Sequence, residues 1–161
     1  MCNFMSAIVT RDGRLLRHDW IDAHEDLVYL HRLRDDKPPQ AASFVRVEFA
    51  PPADDPQAIA DPTRYALRLD EPDAPAWWDD ELRGRVVSDL RGVIERMIVR
   101  HTAPILAGGA WIIAGNVGRV LGARVVAVVA GGTVQRVWSG GTVQCVWSGG
   151  TVQRVEDGAG R

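Results

Sequence analysis

The chain has no run approaching the roughly 18 to 20 consecutive apolar residues that carry a helix across a bilayer. It opens on MCNFMSAIVTRDGR, an apolar stretch without a basic leader or a small-residue cleavage site, which is not the pattern of a signal peptide. Cysteine is scarce. Cys2 and Cys145 make up the whole complement, with neither the spacing of a metal site nor the number for a disulfide framework. These absences lead us to expect a cytoplasmic protein in a reducing compartment. Lysine is almost missing, since Lys37 is the only one among 19 basic residues. An excess of one charge is missing too. At a formal net charge of -2 there is no global basic field to draw in nucleic acid or an anionic membrane. The glycine-rich GGAWIIAGNVG lacks a Walker lysine and a strand-GxGxxG-helix setting, so no nucleotide site and no cofactor is expected.

What is present is an ordinary globular composition, 46% hydrophobic and 25% charged, which excludes wholesale disorder. It is distributed unevenly. All nine prolines and nearly all acids lie before residue 105, and the remainder is rich in Gly, Ala, Val and Trp with almost no acid until Glu156. Such a step marks a domain boundary. We expect an α+β domain over 1–104, a repeat domain over 105–157 and a flexible tail over 158–161.

In the first domain, Phe4–Thr10 reads as a strand, and Asp12-Gly13 signals a type I′ hairpin into a return strand at Leu15-Leu16. Asp22 with Glu25 three residues on resembles a capping box. It introduces a helix with Leu27, Leu30 and Leu33 on its apolar face. Val45, Val47 and Phe49 alternate with Arg46 and Glu48 as a half-buried strand, and Tyr65, Leu67 and Leu69 repeat the pattern. A helix over about 78–100 carries Leu82, Val86, Leu90, Val93 and Met97 as its stripe. The order β-β-α-β-β-α suits an antiparallel sheet with two helices.

The second domain is a nine-residue repeat. GGTVQRVWS, GGTVQCVWS and GGTVQRVED run from Gly131 to Asp157, with six of nine columns identical. GARVVAVVA at 122–130 is a degenerate copy, and GNVGRVLG before it fits with one residue missing. Nine residues at about 3.3 Å each are too short for a closed coil holding two strands about 10 Å apart. Two copies per coil, 18 residues, therefore make a parallel β-solenoid. Thr133 should then stack on Thr151, Arg136 on Arg154 and Val137 on Val155. The alternative is an antiparallel meander turning at each Gly-Gly pair. Two valine columns and a repeated glutamine column favour the solenoid, because buried or half-buried amides can ladder along its axis.

Met-Cys-Asn-Phe, FVRVEF, ERMIV, GGAWIIAG and the nine-residue repeats together resemble an uncharacterised bacterial and phage family that joins a small α/β domain to a repeat tail. The resemblance spans nearly the whole chain and implies the fold, not an activity. The Met-Cys start is also similar to the SRAP domain, whose N-terminal cysteine cross-links abasic DNA, although the Gly-Arg that follows there is absent here.

Several groups could carry function. Cys2, if exposed by removal of Met1, would unite a thiol with an α-amine able to act as its base, and it is the candidate catalytic residue of an N-terminal-cysteine enzyme or DNA-reactive protein. His18, His24 and His31 read as solvated surface histidines, since helical ligand pairs are spaced three or four apart, and no metal is expected. Trp77 and Trp78 read as core. Trp138, Trp147, Arg136 and Arg154 are the candidate binding residues, with Arg119 and Arg124 extending an arginine stripe. The leading expectation is a non-enzymatic binding or assembly module that offers a solenoid face to a macromolecular partner or another copy. A protein partner is favoured over nucleic acid. A phage-borne inhibitor of a host factor is a further alternative.

Overall fold

The structure, a computed structural model, describes residues 5–34 and 41–156. It falls into two compact units. One takes in the chain up to Ala50 together with Tyr65–Gly92, and the other takes Pro51–Arg64 and the chain from Val93 onward.

The first unit is built on an antiparallel sheet of β1 (Ser6–Thr10), β2 (Leu15–Leu16), β3 (Phe44–Ala50) and β4 (Ala66–Leu69), in the order β2-β1-β3-β4. β3 alternates as its sequence requires: Val45, Val47 and Phe49 are buried, and Arg46 and Glu48 are half-buried. The Phe49 and Tyr65 rings pack at 5.2 Å, and burial pushes the Tyr65 phenol far above its ordinary range. The β1–β2 turn differs from the expected type I′. Gly13 has φ +81° and is the only residue of the turn with a positive φ. Gly13 N–H donates to Thr10 O at 2.8 Å, and Thr10 N–H to Arg14 O at 3.0 Å. This is a three-residue loop with a bulged glycine. The Thr10 hydroxyl bonded to Asp12 holds Asp12 in ordinary backbone geometry.

The first helix, α1 (His24–Leu30), begins without a side-chain cap, its N-cap being Ala23, so the expected Asp22 capping box does not form. Its buried residues are His24 and Leu27, and Leu30 is exposed. The apolar stripe is therefore rotated from the expected one, because His24 occupies the inward position one turn before Leu27. The second helix, α2 (Asp80–Met97), buries the full expected stripe of Leu82, Val86, Leu90, Val93 and Met97. Asp79 Oδ1 accepts from Leu82 N–H at 2.8 Å and caps the first turn. The boundary between the units falls inside this helix, between Gly92 and Val93.

The second unit is a parallel β-solenoid. One sheet is ordered β5 (Ile98–Val99), β7 (Ala110–Ile113), β9 (Arg124–Val128), β11 (Thr142–Val146). The other is ordered β6 (Ala103–Ala107), β8 (Asn116–Leu121), β10 (Thr133–Val137), β12 (Thr151–Val155). Consecutive strands thus alternate between sheets, and each pairs with the strand two further along. Thr133 pairs with Thr151, Arg136 with Arg154 and Val137 with Val155, an offset of 18 residues. A meander, in which Val134 would face Val143, is not what forms. The missing residue in GNVGRVLG is visible as well, since β8 pairs with β10 at an offset of 17, Asn116 with Thr133. The first coils are shorter still, with β6 on β8 at an offset of 14. They begin at Ile98, ahead of the composition step near residue 105, because proline-containing APILA forms a rung without the repeat motif.

The Gly-Gly pair explains why these strands coil. Gly132, Gly141 and Gly150 N–H donate to Val129, Trp138 and Trp147 O at 2.8–2.9 Å, which closes a four-residue turn at each corner. The first glycine of each pair, Gly131, Gly140 or Gly149, takes φ of +75° to +83°, the third position of a type II turn. The second glycine sits on the coil below. A Cβ on Gly132 would lie 2.2 Å from Ile113 O, and one on Gly150 2.5 Å from Val128 O. One glycine therefore serves the turn and the other the stacking. Between corners, Val117, Val120, Val125, Val128, Val134 and Val137 form the interior, each at most 2% exposed.

Candidate interaction face of the solenoid

The two sheets of the solenoid turn different surfaces outward. On the β7-β9 side, the residues facing away from the valine interior are themselves covered: Ile112 is 0%, Val126 2% and Ala127 1% exposed. On the other sheet the corresponding positions lie in solvent. Arg119, Arg136 and Arg154 occupy one column, paired rung to rung across β8, β10 and β12, and all three are exposed. Neighbouring strands in a sheet lie about 4.8 Å apart, so this is a regular ladder of like charge. Beside it Gln135 and Gln153 are exposed, and Asn116, Thr133 and Thr151 form another polar column. The amide column is thus solvated. The register therefore rests on the expected valine columns and on the glycine corners, without the expected buried or half-buried amide ladder.

Like charges stacked this closely repel, and two of the three arginines have local compensation. The Arg119 guanidinium lies 5.0 Å from the centre of the Trp138 ring, within cation–π range. Arg154 Nε lies 3.2 Å from Glu156 Oε1. Arg136, between them, has no ion pair among the described residues. Chemically the face is a row of fork-shaped cationic donors flanked by amides and hydroxyls, suited to binding oxyanions such as carboxylates.

The structure brings Arg136, Arg154, Arg119 and Trp138 together. Trp147 follows β11 in the other sheet and belongs to a different corner. Both tryptophans are half-buried at corners, where their backbone N–H groups donate to Val120 O and Val128 O on the coil below, each at 2.9 Å. Their indole Nε1 atoms are buried without a hydrogen-bond partner among the described residues. Arg124 leaves the expected stripe. It lies in the other sheet, paired with Thr142, and is 5% exposed. In GARVVAVVA the arginine stands in the threonine column of the repeat, a displacement readable by aligning the frames. Asn116 was overlooked as a member of the polar column because it stands where the later copies carry threonine.

Elsewhere, His24 is not a surface residue. It is 7% exposed, with Nδ1 2.7 Å from Asp70 Oδ2 and Nε2 3.1 Å from Val47 O. The ring thus joins the start of α1 to β3 and to the residue that follows β4. Glu71 plays a similar joining role, accepting from Arg46 N–H at 3.1 Å and from its guanidinium at 3.0 Å. Trp77 donates from Nε1 to Ala42 O at 2.8 Å and packs edge-on against Trp78, a structural arrangement. Cys2 lies outside the described residues. Among the described residues no three His, Cys, Asp or Glu side chains converge as a metal site, and no helix is long and apolar enough to cross a membrane. No family model, curated protein or solved structure matches the chain.

Proposed function

We propose that the chain is a non-enzymatic binding and assembly module whose exposed solenoid face docks an acidic surface of a partner protein. The observation that carries this reading is the in-register, solvent-exposed column Arg119, Arg136 and Arg154, set in a sheet whose opposite number is covered. Charge is segregated accordingly. Residues 98–156 contain five arginines and one acid, although the whole chain is net negative at -2. Arginine presents two parallel donors to each carboxylate, and a rigid sheet fixes the spacing between them at no further ordering cost.

The test is fluorescence anisotropy with a labelled poly-glutamate peptide at low and physiological salt. Binding should weaken at least tenfold in Arg119→Glu/Arg136→Glu, at two exposed positions, and it should weaken as salt rises. Trp138→Ala should give a smaller loss, since it removes only the ring under Arg119. Unchanged binding in the double variant sinks the proposal. Tighter binding of a single-stranded oligonucleotide would move the partner from protein to nucleic acid.

A further inference from the structure

The last coil of the solenoid exposes its own interior. Val146 stacks on Val128, and Val155 stacks on Val137. Val128 and Val137 are 0% and 2% exposed, whereas Val146 is 52% and Val155 63% exposed. β11 and β12 are the outermost strands of their sheets, and their outer edges have no strand partner among the described residues. Neither strand contains a proline, and no bulge interrupts its register. Protein edges normally carry such devices to prevent strand addition. Among the described residues the charged device here is the Arg154–Glu156 pair at the end of β12.

What fits this surface is displayed one coil earlier. β12, TVQRV, lies on β10, also TVQRV, with Thr on Thr, Val on Val and Arg on Arg. β11, TVQCV, lies on β9, RVVAV, with the valines alone matched, Val143 on Val125 and Val146 on Val128. The outer edge of β12 therefore offers the backbone pattern and valine spacing that β10 already offers to a Thr-Val-Gln strand. We infer that the open coil is a self-association surface whose occupant is the last coil of a second copy of this chain. This inference rests on the assembly half of the reading above and gives it a location.

The geometry fixes the mode of association. Exposed Thr-Val-Gln strand edges occur at this end of the solenoid, so two copies meet through the same surface. Such an isologous contact has a two-fold axis and closes at a dimer. The two-fold reverses strand direction across the junction, which makes the new pairing antiparallel. It also carries each Arg154 away from the rung where a parallel stack would place another arginine, avoiding a like-charge pair.

Sedimentation velocity on the full chain over a wide micromolar range tests this directly. The expected result is a concentration-dependent doubling of mass. Val146→Lys/Val155→Lys, at two exposed positions, should raise the dissociation constant at least tenfold. Arg119→Glu/Arg136→Glu should leave it unchanged. A monomer at every concentration, an undiminished dimer in the lysine variant, or growth beyond the dimer overturns the inference. Should the lysine variant fail to fold, hydrogen exchange on the unmodified chain decides. Amides of β11 and β12 should gain protection as concentration rises, and the absence of any gain overturns the inference equally. A monomeric unmodified chain that still binds poly-glutamate would remove this inference alone. The reverse result would remove the acidic-partner reading alone.

Discussion

The two units solve the burial of backbone and side chains in opposite ways. In the antiparallel unit each polar link occurs once: His24 to Asp70 and Val47 O, Arg46 to Glu71, and the Trp77 indole to Ala42 O. In the solenoid the links recur from coil to coil, as valine columns and glycine corners. A unit of single links depends on a few irreplaceable residues. A unit of repeated links depends on a rule, and the cost of breaking it varies with the rung at which it is broken.

The largest effect should follow from breaking the rule itself. Gly132→Ala sets a Cβ 2.2 Å from the Ile113 carbonyl, a backbone atom that cannot turn aside. A cost of about 3 kcal/mol or more is expected, at the upper end of overpacking. Gly131→Ala meets no atom within 4 Å and pays only for its φ of +82°, about 1–2 kcal/mol. Chemical denaturation of the two variants measures the contrast. Equal costs would show that corners are limited by turn geometry and not by stacking.

The single-link unit should lose about 2–3 kcal/mol in His24→Leu, which leaves Val47 O and the Asp70 carboxylate without their donor. A loss under about 0.5 kcal/mol would mean that water replaces the ring at no cost and that the contrast between the units is overstated. Within the solenoid, Val134→Ala should cost about 2 kcal/mol, but Val155→Ala, in the partner column at the open end, under about 0.5 kcal/mol. Similar values at the two positions would erase the dependence on rung.

The repeat was the most legible part of the chain. Its nine-residue period against the width of a coil was enough to give 18-residue stacking, and Thr133, Arg136 and Val137 lie over the residues expected. The β3 alternation and the α2 stripe were equally open to reading, because each is long enough for its period to show. What escaped was set by tertiary context. His24 looks like any polar helical residue until β3 and Asp70 supply its partners. The Asp12-Gly13 dipeptide allows two turn types, and the Thr10 hydroxyl decides between them. At the candidate face the arginine column was visible as a repeat position. The burial of Arg124 required the frame of GARVVAVVA to be placed in three dimensions.

Acid provides the mildest probe of the comparison, because surface carboxylates are present in both units. The Thr10 hydroxyl, then Arg14, holds the Asp12 carboxyl below its ordinary 3.8. Arg64 and the Gln57 amide do the same for Asp55, and Thr63 for Asp61. Each donor favours the ionised form and is absent from the unfolded chain. Above pH 3.8 both states are ionised and the contribution is fully present. As pH falls below that value the unfolded chain takes up protons first, and the contribution is lost toward the lower folded value. Asp12 is exposed and Asp55 and Asp61 lie partly in solvent, so solvent screening keeps the effect small. The urea midpoint should be flat from about pH 7 to 5 and decline below about pH 4. Asp55→Asn/Asp61→Asn should flatten the decline arising from the solenoid unit, while Asp12→Asn acts on the other. An acid limb identical in all variants would show that these three carboxylates do not set it.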